Sequence, residues 1–207
     1  LLSKGEDERD VFYPEASVVR EMAWGHSFKF GVKKSALGNM PADDTLFPSA
    51  MWLRSFLGEG VRLFFIEGMH IRNASPPGQL RQFKTDGSNL PWVIEDLKKK
   101  HNDHFRDWIK HIRTALPDVK DIVTVERADD KHRYLKVLYN NGMEIPSWLV
   151  SDGTLRLLAL TLPAYLPDFN GVYLIEEPEN GIHPLAIETV FQSLSSVYDA
   201  QILIATH

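Results

Sequence analysis

Two short apolar runs in the C-terminal third of the chain predict buried strands, because each is one strand long and almost continuously apolar. The first run, residues 171–175, leads directly into Glu176 and Glu177 and then into a proline and an Asn-Gly turn. The second run, residues 201–205, brings His207 to the end of its strand. Open α/β sheets bind ligands at the carboxyl ends of their strands, so the pattern predicts an α/β fold with polar side chains gathered at one edge.

Apolar residues at helical spacing predict four helices between residues 91 and 197. Pro91 suits the first position of the earliest helix, with Ser88 or Asn89 near its cap, and Pro117 ends the second. The predicted core positions, helix by helix, are Trp92 and Leu97; then Phe105, Trp108, Ile109, Ile112 and Leu116; then Leu155, Leu158, Ala159 and Leu162; and finally Ile187, Val190, Phe191, Leu194 and Val197.

The remaining strand signals are shorter. Residues 61–66 are aromatic and branched, and residues 122–125 and 134–139 predict two further strands before an Asn-Asn-Gly turn at 140–142. Residues 27–34 alternate polar and apolar, which favours one more strand in an N-terminal region that is otherwise hard to interpret.

The acidic pair is the first candidate for chemistry. Neighbouring residues of a strand point to opposite faces, so one of these two acids could reach a metal-bound water and the other an attacking water. The alternative is a plain strand followed by an acidic turn.

A second candidate lies at Ser151-Asp152-Gly153, just before the third predicted helix. Ser151 or Asp152 is the expected N-cap. Gly153 would let backbone N–H groups approach a phosphate, and the helix dipole favours an anion there.

These segments, in this order, resemble the second half of an ABC-type ATPase head, in the branch of RecF, SMC and OLD proteins whose members are often labelled AAA-type ATPases. Ser151-Asp152-Gly153 matches the signature motif, and Leu-Ile-Glu-Glu at 174–177 matches Walker B. Pro-Glu-Asn-Gly-Ile-His-Pro at 178–184 matches the D-loop, and His207 matches the switch histidine. Residues 85–91 are similar to an element of the helical insertion in the same group.

The resemblance implies a P-loop NTPase fold with ATP and Mg²⁺ as cofactors, and an enzyme that hydrolyses ATP. It implies that Glu177 is the general base, that Glu176 faces the magnesium ion and that His207 contacts the γ-phosphate. It also implies that residues 151–153 bind the nucleotide of a partner head. The D-loop residues Asn180, Gly181 and His183 would then lie across a head-to-head dimer interface.

The same resemblance suggests three segments: residues 1–84 as a β-rich remainder of the first lobe, 85–145 as a helical insertion with a β-hairpin, and 146–207 as the part that carries the motifs. Possible partners are a second head in a homodimer or paired dimer, DNA, and a nuclease domain or subunit. The implied setting is DNA repair or antiviral defence.

Two departures from the family pattern are visible. No glycine is followed by lysine, so the P-loop sequence Gly-x-x-x-x-Gly-Lys-Ser/Thr is absent from these 207 residues. The expectation is that the P-loop precedes residue 1 in a longer protein or comes from another chain. The first acid of Walker B is also Glu176 in place of the usual aspartate. If no P-loop is supplied, the alternative function is a non-hydrolytic scaffold that binds a nuclease or DNA.

Composition adds few constraints. Apolar residues make up 43% of the chain and charged residues 25%, which is ordinary for a globular protein. No apolar run is long enough for a membrane span, and the absence of cysteine fits a cytoplasmic protein without disulfides. The net charge of −5 gives no overall basic surface for nucleic acid.

A competing site lies in the predicted helical pair. His101, His104 and His111 could bind a metal with Asp103, and the lysines at 98–100 could contact DNA phosphates. Lys110 and Arg113 could take part in the same phosphate contact. The favoured interpretation is that all these residues form a solvated polar face opposite the Trp108 stripe.

Overall fold

The computed structural model describes residues 2–4, 10–12, 26–28, 35–167 and 170–206. The chain divides into two compact units, Leu1–Val61 and Arg62–His207. No helix within the described ranges is both long and apolar enough to cross a membrane.

The first unit contains an antiparallel three-stranded sheet and two helices. Its elements are β1 (Leu2–Lys4), β2 (Asp10–Phe12), β3 (His26–Phe28), α1 (Ala36–Asn39) and α2 (Pro48–Ser55), followed by a π-helical turn at Phe56–Gly60. The strands pair in the order β1-β2-β3. Strand β3 begins at residue 26, one residue before the start of the strand predicted at 27–34. Residues 29–34 lie outside the described ranges.

The second unit carries the motifs. After β4 (Val61–Phe64), which spans the boundary, its elements are α3 (Gly68–Arg72), α4 (Leu90–Lys100), α5 (Asn102–Ala115), β5 (Val119–Glu126), β6 (Arg133–Tyr139), β7 (Glu144–Pro146), α6 (Asp152–Thr161), β8 (Gly171–Glu176), α7 (Pro184–Ser195) and β9 (Ala200–Ala205). The four helices predicted from apolar spacing are α4, α5, α6 and α7.

The sheet that positions the site has the order β4-β8-β9, with β8 in the centre. Strands β8 and β9 run parallel, and their register extends from Gly171 opposite Ala200 to Glu176 opposite Ala205. Tyr173 and Ile175 point from β8 into the core. The carboxyl ends of both predicted strands therefore meet at one edge of the sheet.

The predicted insertion forms a separate layer. Helices α4 and α5 pack against each other and against an antiparallel sheet with the order β5-β6-β7. Helix α5 also packs on α6 and α7. There the fully buried Trp108 donates its indole N–H to the hydroxyl of Thr161 at 3.0 Å, so the aromatic stripe of α5 is held directly against the helix that follows Ser151.

Most predicted core positions are buried. Leu155, Leu158 and Ala159 are fully buried in α6, and Leu162 follows at the helix end. Leu157, Leu160 and Thr161 are buried as well, so α6 has a wider buried surface than the predicted stripe because α5 and α7 both cover it.

Asn89 occupies the N-cap position of α4, but its side chain bonds to the loop before the helix and not to the helix itself. Its side chain makes no cap hydrogen bond to α4. It is fully buried and donates to the carbonyls of Leu80 at 2.9 Å and Gln82 at 2.7 Å, while its oxygen accepts from the N–H of Lys84 at 2.9 Å. One amide therefore holds the loop before α4 in place.

Replacing Asn89 by alanine should lower the free energy of unfolding by about 2 kcal/mol, because three backbone groups lose their partner in a buried site. Urea denaturation measures the change. Asn102→Ala is the matched control, since that side chain is exposed and makes one bond to the carbonyl of Lys98. Equal losses in the two variants would contradict the buried role.

Candidate functional site

The two acids lie where β8 ends, but only one belongs to the strand. Glu176 is the last residue of β8 and is exposed. Glu177 adopts a positive φ of 44°, although its N–H still donates to the carbonyl of Ala205 at 2.8 Å. The two side chains are therefore separated by a sharp change of backbone direction at Glu177, and not by the alternation of a continuing strand that the sequence suggested.

A tight turn follows the acids and is closed on Glu177. The N–H of Asn180 donates to the carbonyl of Glu177 at 2.9 Å, and its side-chain amide donates to the Glu177 carboxylate at 3.3 Å. Gly181 has a φ of 74°, a conformation that favours glycine. Ile182 is buried and its N–H donates to the carbonyl of Glu179 at 3.1 Å. The residues of the predicted D-loop are thus ordered around the second acid.

A pocket of about 430 Å³ opens beside the acids. One part of it is lined by Glu176, Glu177, Asn180 and Arg156. The rest is lined by the last residue of β4 and the segment after it, residues 64–69. The lining includes three carboxylates, the third from Glu67, against one arginine. A bare triphosphate would be repelled here, so the pocket suits an anion that arrives with a divalent cation.

The donor set fits magnesium in particular. Mg²⁺ keeps several waters and takes one or two protein carboxylates together with substrate phosphates, so it does not need a full protein cage. Within the described ranges no three His, Cys, Asp or Glu side chains converge as such a cage. The exposed carboxylate of Glu176 at the pocket supplies the kind of ligand that a magnesium–nucleotide complex uses.

The start of α6 agrees with the predicted helix start. Ser151 is the N-cap, and its hydroxyl oxygen accepts from the N–H of Thr154 at 3.2 Å. Asp152 is instead the first helical residue, and its carboxylate pairs with the guanidinium of Arg72 at 2.5 Å. Arg72 also donates to the carbonyl of Trp148 at 2.9 Å, so one arginine connects α3 with both the first residue of α6 and the turn that precedes it.

Gly153 lies so close to the backbone of the turn that no side chain would fit between them. A Cβ atom added at Gly153 would lie 2.5 Å from the carbonyl oxygen of Gly181. Arg156, one turn further along α6, donates to the carbonyl of Asn180 at 3.3 Å. The predicted signature and D-loop segments of this chain are therefore joined by direct contact.

A second pocket of about 330 Å³ lies on the other side of this junction. Its polar lining comes from Ser151, Gly153 and Thr154 at the start of α6 and from Gly181 and His183 in the turn. The first turn of a helix carries the positive end of the helix dipole, which favours an anion at this surface. His183 itself caps α7, since its Nδ1 accepts from the N–H of Leu185 at 3.3 Å.

His207, the predicted switch histidine, lies outside the described residues. The residue before it is placed at the same sheet edge, since the hydroxyl of Thr206 donates to the carboxylate of Glu179 at 2.6 Å. The end of β9 and the turn after β8 are thereby linked.

The competing histidine and lysine cluster does not converge on one point. The rings of His101 and His104 lie 5.7 Å apart, but His104 contacts the carbonyl of Tyr165, and His111 contacts the hydroxyl of that tyrosine at 2.6 Å. The lysines at 98–100 each lie within 3.5 Å of a carboxylate, those of Asp121, Glu95 and Asp96 in turn.

The segment after β4 also contributes to the site, and no prediction from the sequence included it. Phe65, Glu67 and Met69 line the acidic pocket, and Arg72 holds Asp152. The position of Glu67 in the sequence could have identified it. Glu67 directly follows the strand predicted at 61–66, just as Glu176 directly follows the apolar run at 171–175. Nothing local marks Arg72, which is 80 residues from its partner along the chain.

A family model described as "AAA domain, putative AbiEii toxin, Type IV TA system" matches residues 6–207 of the chain. No curated protein matches the chain.

Proposed function

The chain belongs to this family of AAA domains, and from that premise we propose that it forms part of an ATP-hydrolysing head that dimerises on ATP. The family match supports an AAA-type ATPase domain with an α/β P-loop NTPase fold and nucleotide binding. The finer assignment, to the C-terminal part of an ABC-type head in the branch of RecF, SMC and OLD proteins, is our proposal from the motifs and their order.

The observation that carries the proposal is the pocket that brings Glu176, Glu177 and Asn180 together at the sheet edge. Phosphoryl transfer needs charge neutralisation and a positioned water, with little covalent work by the protein. Glu177 is proposed as the base that orients this water, and Glu176 as the acid that holds a water of the magnesium ion. When bound, Mg²⁺ neutralises charge on the β- and γ-phosphates.

The second pocket supports a role for the start of α6 towards a partner. The turn at 177–183 lines the acidic pocket with Asn180 and the second pocket with Gly181 and His183, so the two pockets lie on either side of one short segment. We propose that Ser151, Asp152 and Gly153 receive the γ-phosphate held by a second head. Under this proposal Asn180, Gly181 and His183 lie at the interface between the heads.

The remaining assignments rest on the resemblance. His207 is proposed to contact the γ-phosphate. The output is proposed to act on DNA or on a nuclease domain or subunit, in DNA repair or antiviral defence.

A scaffold without hydrolysis is the second candidate, and one observation favours it. None of the 13 glycines is followed by lysine, so these residues contain no P-loop lysine to offset the three carboxylates of the acidic pocket. In this case the fold would bind a nuclease or DNA without an ATPase cycle.

ATP titration and phosphate release, measured on the native protein with and without Mg²⁺, test the proposal. We expect binding and turnover that both require Mg²⁺, and a monomer-to-dimer shift in analytical ultracentrifugation with a non-hydrolysable ATP analogue. Ser151→Arg should prevent the shift by filling the second pocket, while ATP still binds. Failure of the native protein to bind ATP would favour the scaffold.

A further inference from the structure

The proposed phosphate-receiving surface at the start of α6 contains an acid. Asp152 is the first residue of the helix, and its side chain is 61% exposed. A carboxylate repels a γ-phosphate because both carry negative charge, whereas the positive end of the helix dipole attracts it. Residues 151–153 can therefore receive a phosphate only if the charge of Asp152 is offset or directed elsewhere.

The carboxylate of Asp152 lies against α3. A Cβ atom added at Gly68 would lie 3.2 Å from one of its oxygens, and the same oxygen lies 2.5 Å from Nη2 of Arg72. Gly68 and Arg72 are the first and last residues of α3, so the carboxylate is held along this short helix. Among the described residues, Ser151 and Gly153 line the second pocket, but Asp152 between them does not.

Arg72 is fixed through both its side chain and its main chain. Its Nη1 donates to the carbonyl of Trp148 at 2.9 Å, and its own carbonyl accepts from the hydroxyl of Ser147 at 2.8 Å. Ser147 and Ile71, the residue before Arg72, are both fully buried. Because a guanidinium is planar, the bond from Nη1 to Trp148 restricts the direction in which Nη2 meets Asp152.

We propose that Arg72 is a positioning residue for the surface that faces the second head, an inference that rests on the proposed function. Arg72 offsets the charge of Asp152 and keeps its carboxylate on α3. The start of α6 then presents the positive end of its dipole to the γ-phosphate of the second head. Asp152 serves that phosphate through its main chain, and its side chain serves as the partner of Arg72.

The same ion pair could act only as a mechanical link between α3 and α6, and removal of both charges distinguishes the two roles. A mechanical link is lost in Arg72→Gln and stays lost when Asp152→Asn is added. A repelling carboxylate, in contrast, is exposed in the single variant and is absent from the double variant. Recovery in the double variant is therefore specific to the positioning role.

The dissociation constant of the dimer formed with a non-hydrolysable ATP analogue, measured by analytical ultracentrifugation, tests the inference. Arg72→Gln should weaken the dimer about tenfold, a change of about 1.4 kcal/mol. The double variant Arg72→Gln/Asp152→Asn should return to within about twofold of the native value. Relative to the native protein at the same salt, the loss in Arg72→Gln should shrink at about 1 M salt, where charges are screened within about 3 Å.

Arg106→Gln is the matched control, because this arginine on α5 is 76% exposed and its replacement removes the same charge. It should dimerise as the native protein does. Arg72→Lys keeps the positive charge and should lose less than about threefold. This variant decides the question if Arg72→Gln does not fold, since a tenfold loss in Arg72→Lys would overturn the inference.

Two other results also overturn it. The first is an Arg72→Gln variant that dimerises like Arg106→Gln. The second is a double variant as weak as Arg72→Gln, which would leave only the mechanical link. A native protein that does not dimerise with the analogue overturns the proposed function and this inference together, and that outcome is recognised without any variant.

Discussion

Replacing Glu177 by glutamine is expected to lower the rate of ATP hydrolysis by about 10²–10⁴-fold, the range that a general base contributes. Glutamine keeps the shape of the side chain and can still meet the amide of Asn180, which now lies 3.3 Å from the carboxylate. It cannot accept the proton of the attacking water. ATP-driven dimerisation should therefore persist in the variant, and trapped dimers should accumulate in ultracentrifugation while phosphate release nearly stops.

Glu188→Gln is the matched control for this experiment. Glu188 is an exposed glutamate on α7 whose carboxylate accepts from Gln192 at 2.9 Å, away from both pockets of the site. Its replacement removes the same charge from the chain and should leave the hydrolysis rate unchanged. If Glu177→Gln hydrolyses ATP as fast as Glu188→Gln, Glu177 is not the base.

Gly153→Ala is expected to lower the free energy of unfolding by about 2–3 kcal/mol, as overpacking does where the neighbour is rigid. The new methyl group would lie 2.5 Å from the Gly181 carbonyl oxygen and 3.6 Å from the Cα of Ile182. Both are backbone atoms, so either α6 or the turn must move. Because that turn is closed on Glu177, the variant should also lose most of its ATPase activity, measured alongside thermal unfolding.

Gly68→Ala gives a graded comparison, because Gly68 begins α3 and lies against Asp152 at the start of α6. Its added methyl group would lie 3.2 Å from an oxygen of Asp152, so this exposed side chain, which is paired with Arg72, needs to move by only a few tenths of an ångström. The loss of stability should stay below about 1 kcal/mol. Should Gly153→Ala prove no more harmful than Gly68→Ala, the contact between α6 and the turn is not tight.

The local features of this fold could be predicted from the sequence, because short-range chemistry determines them. Ser151 caps α6 through a bond to a residue three positions away, and Pro184 begins α7 where proline is tolerated. The apolar runs that predicted β8 and β9 ended in polar residues, and their parallel pairing brings those ends together.

The contacts between distant segments could not be predicted in this way. The approach of Gly153 to Gly181 depends on how α6 meets the turn, and the pair between Arg72 and Asp152 joins residues far apart in the chain. Asn89 looked like a helix cap, yet its side chain bonds to the preceding loop. In each case a polar or small residue has a partner that tertiary packing selects, and no local pattern encodes it.

The backbone conformation of Glu177 lowers the stability of the fold at a position where the proposed function requires a glutamate. A positive φ disfavours a glutamate by about 1–2 kcal/mol, whereas glycine would adopt it without steric cost and asparagine more readily. Selection for a stable fold alone would therefore replace the glutamate. Its presence at a strained position, beside a second acid and in the lining of a pocket, agrees with the proposed role of its carboxylate.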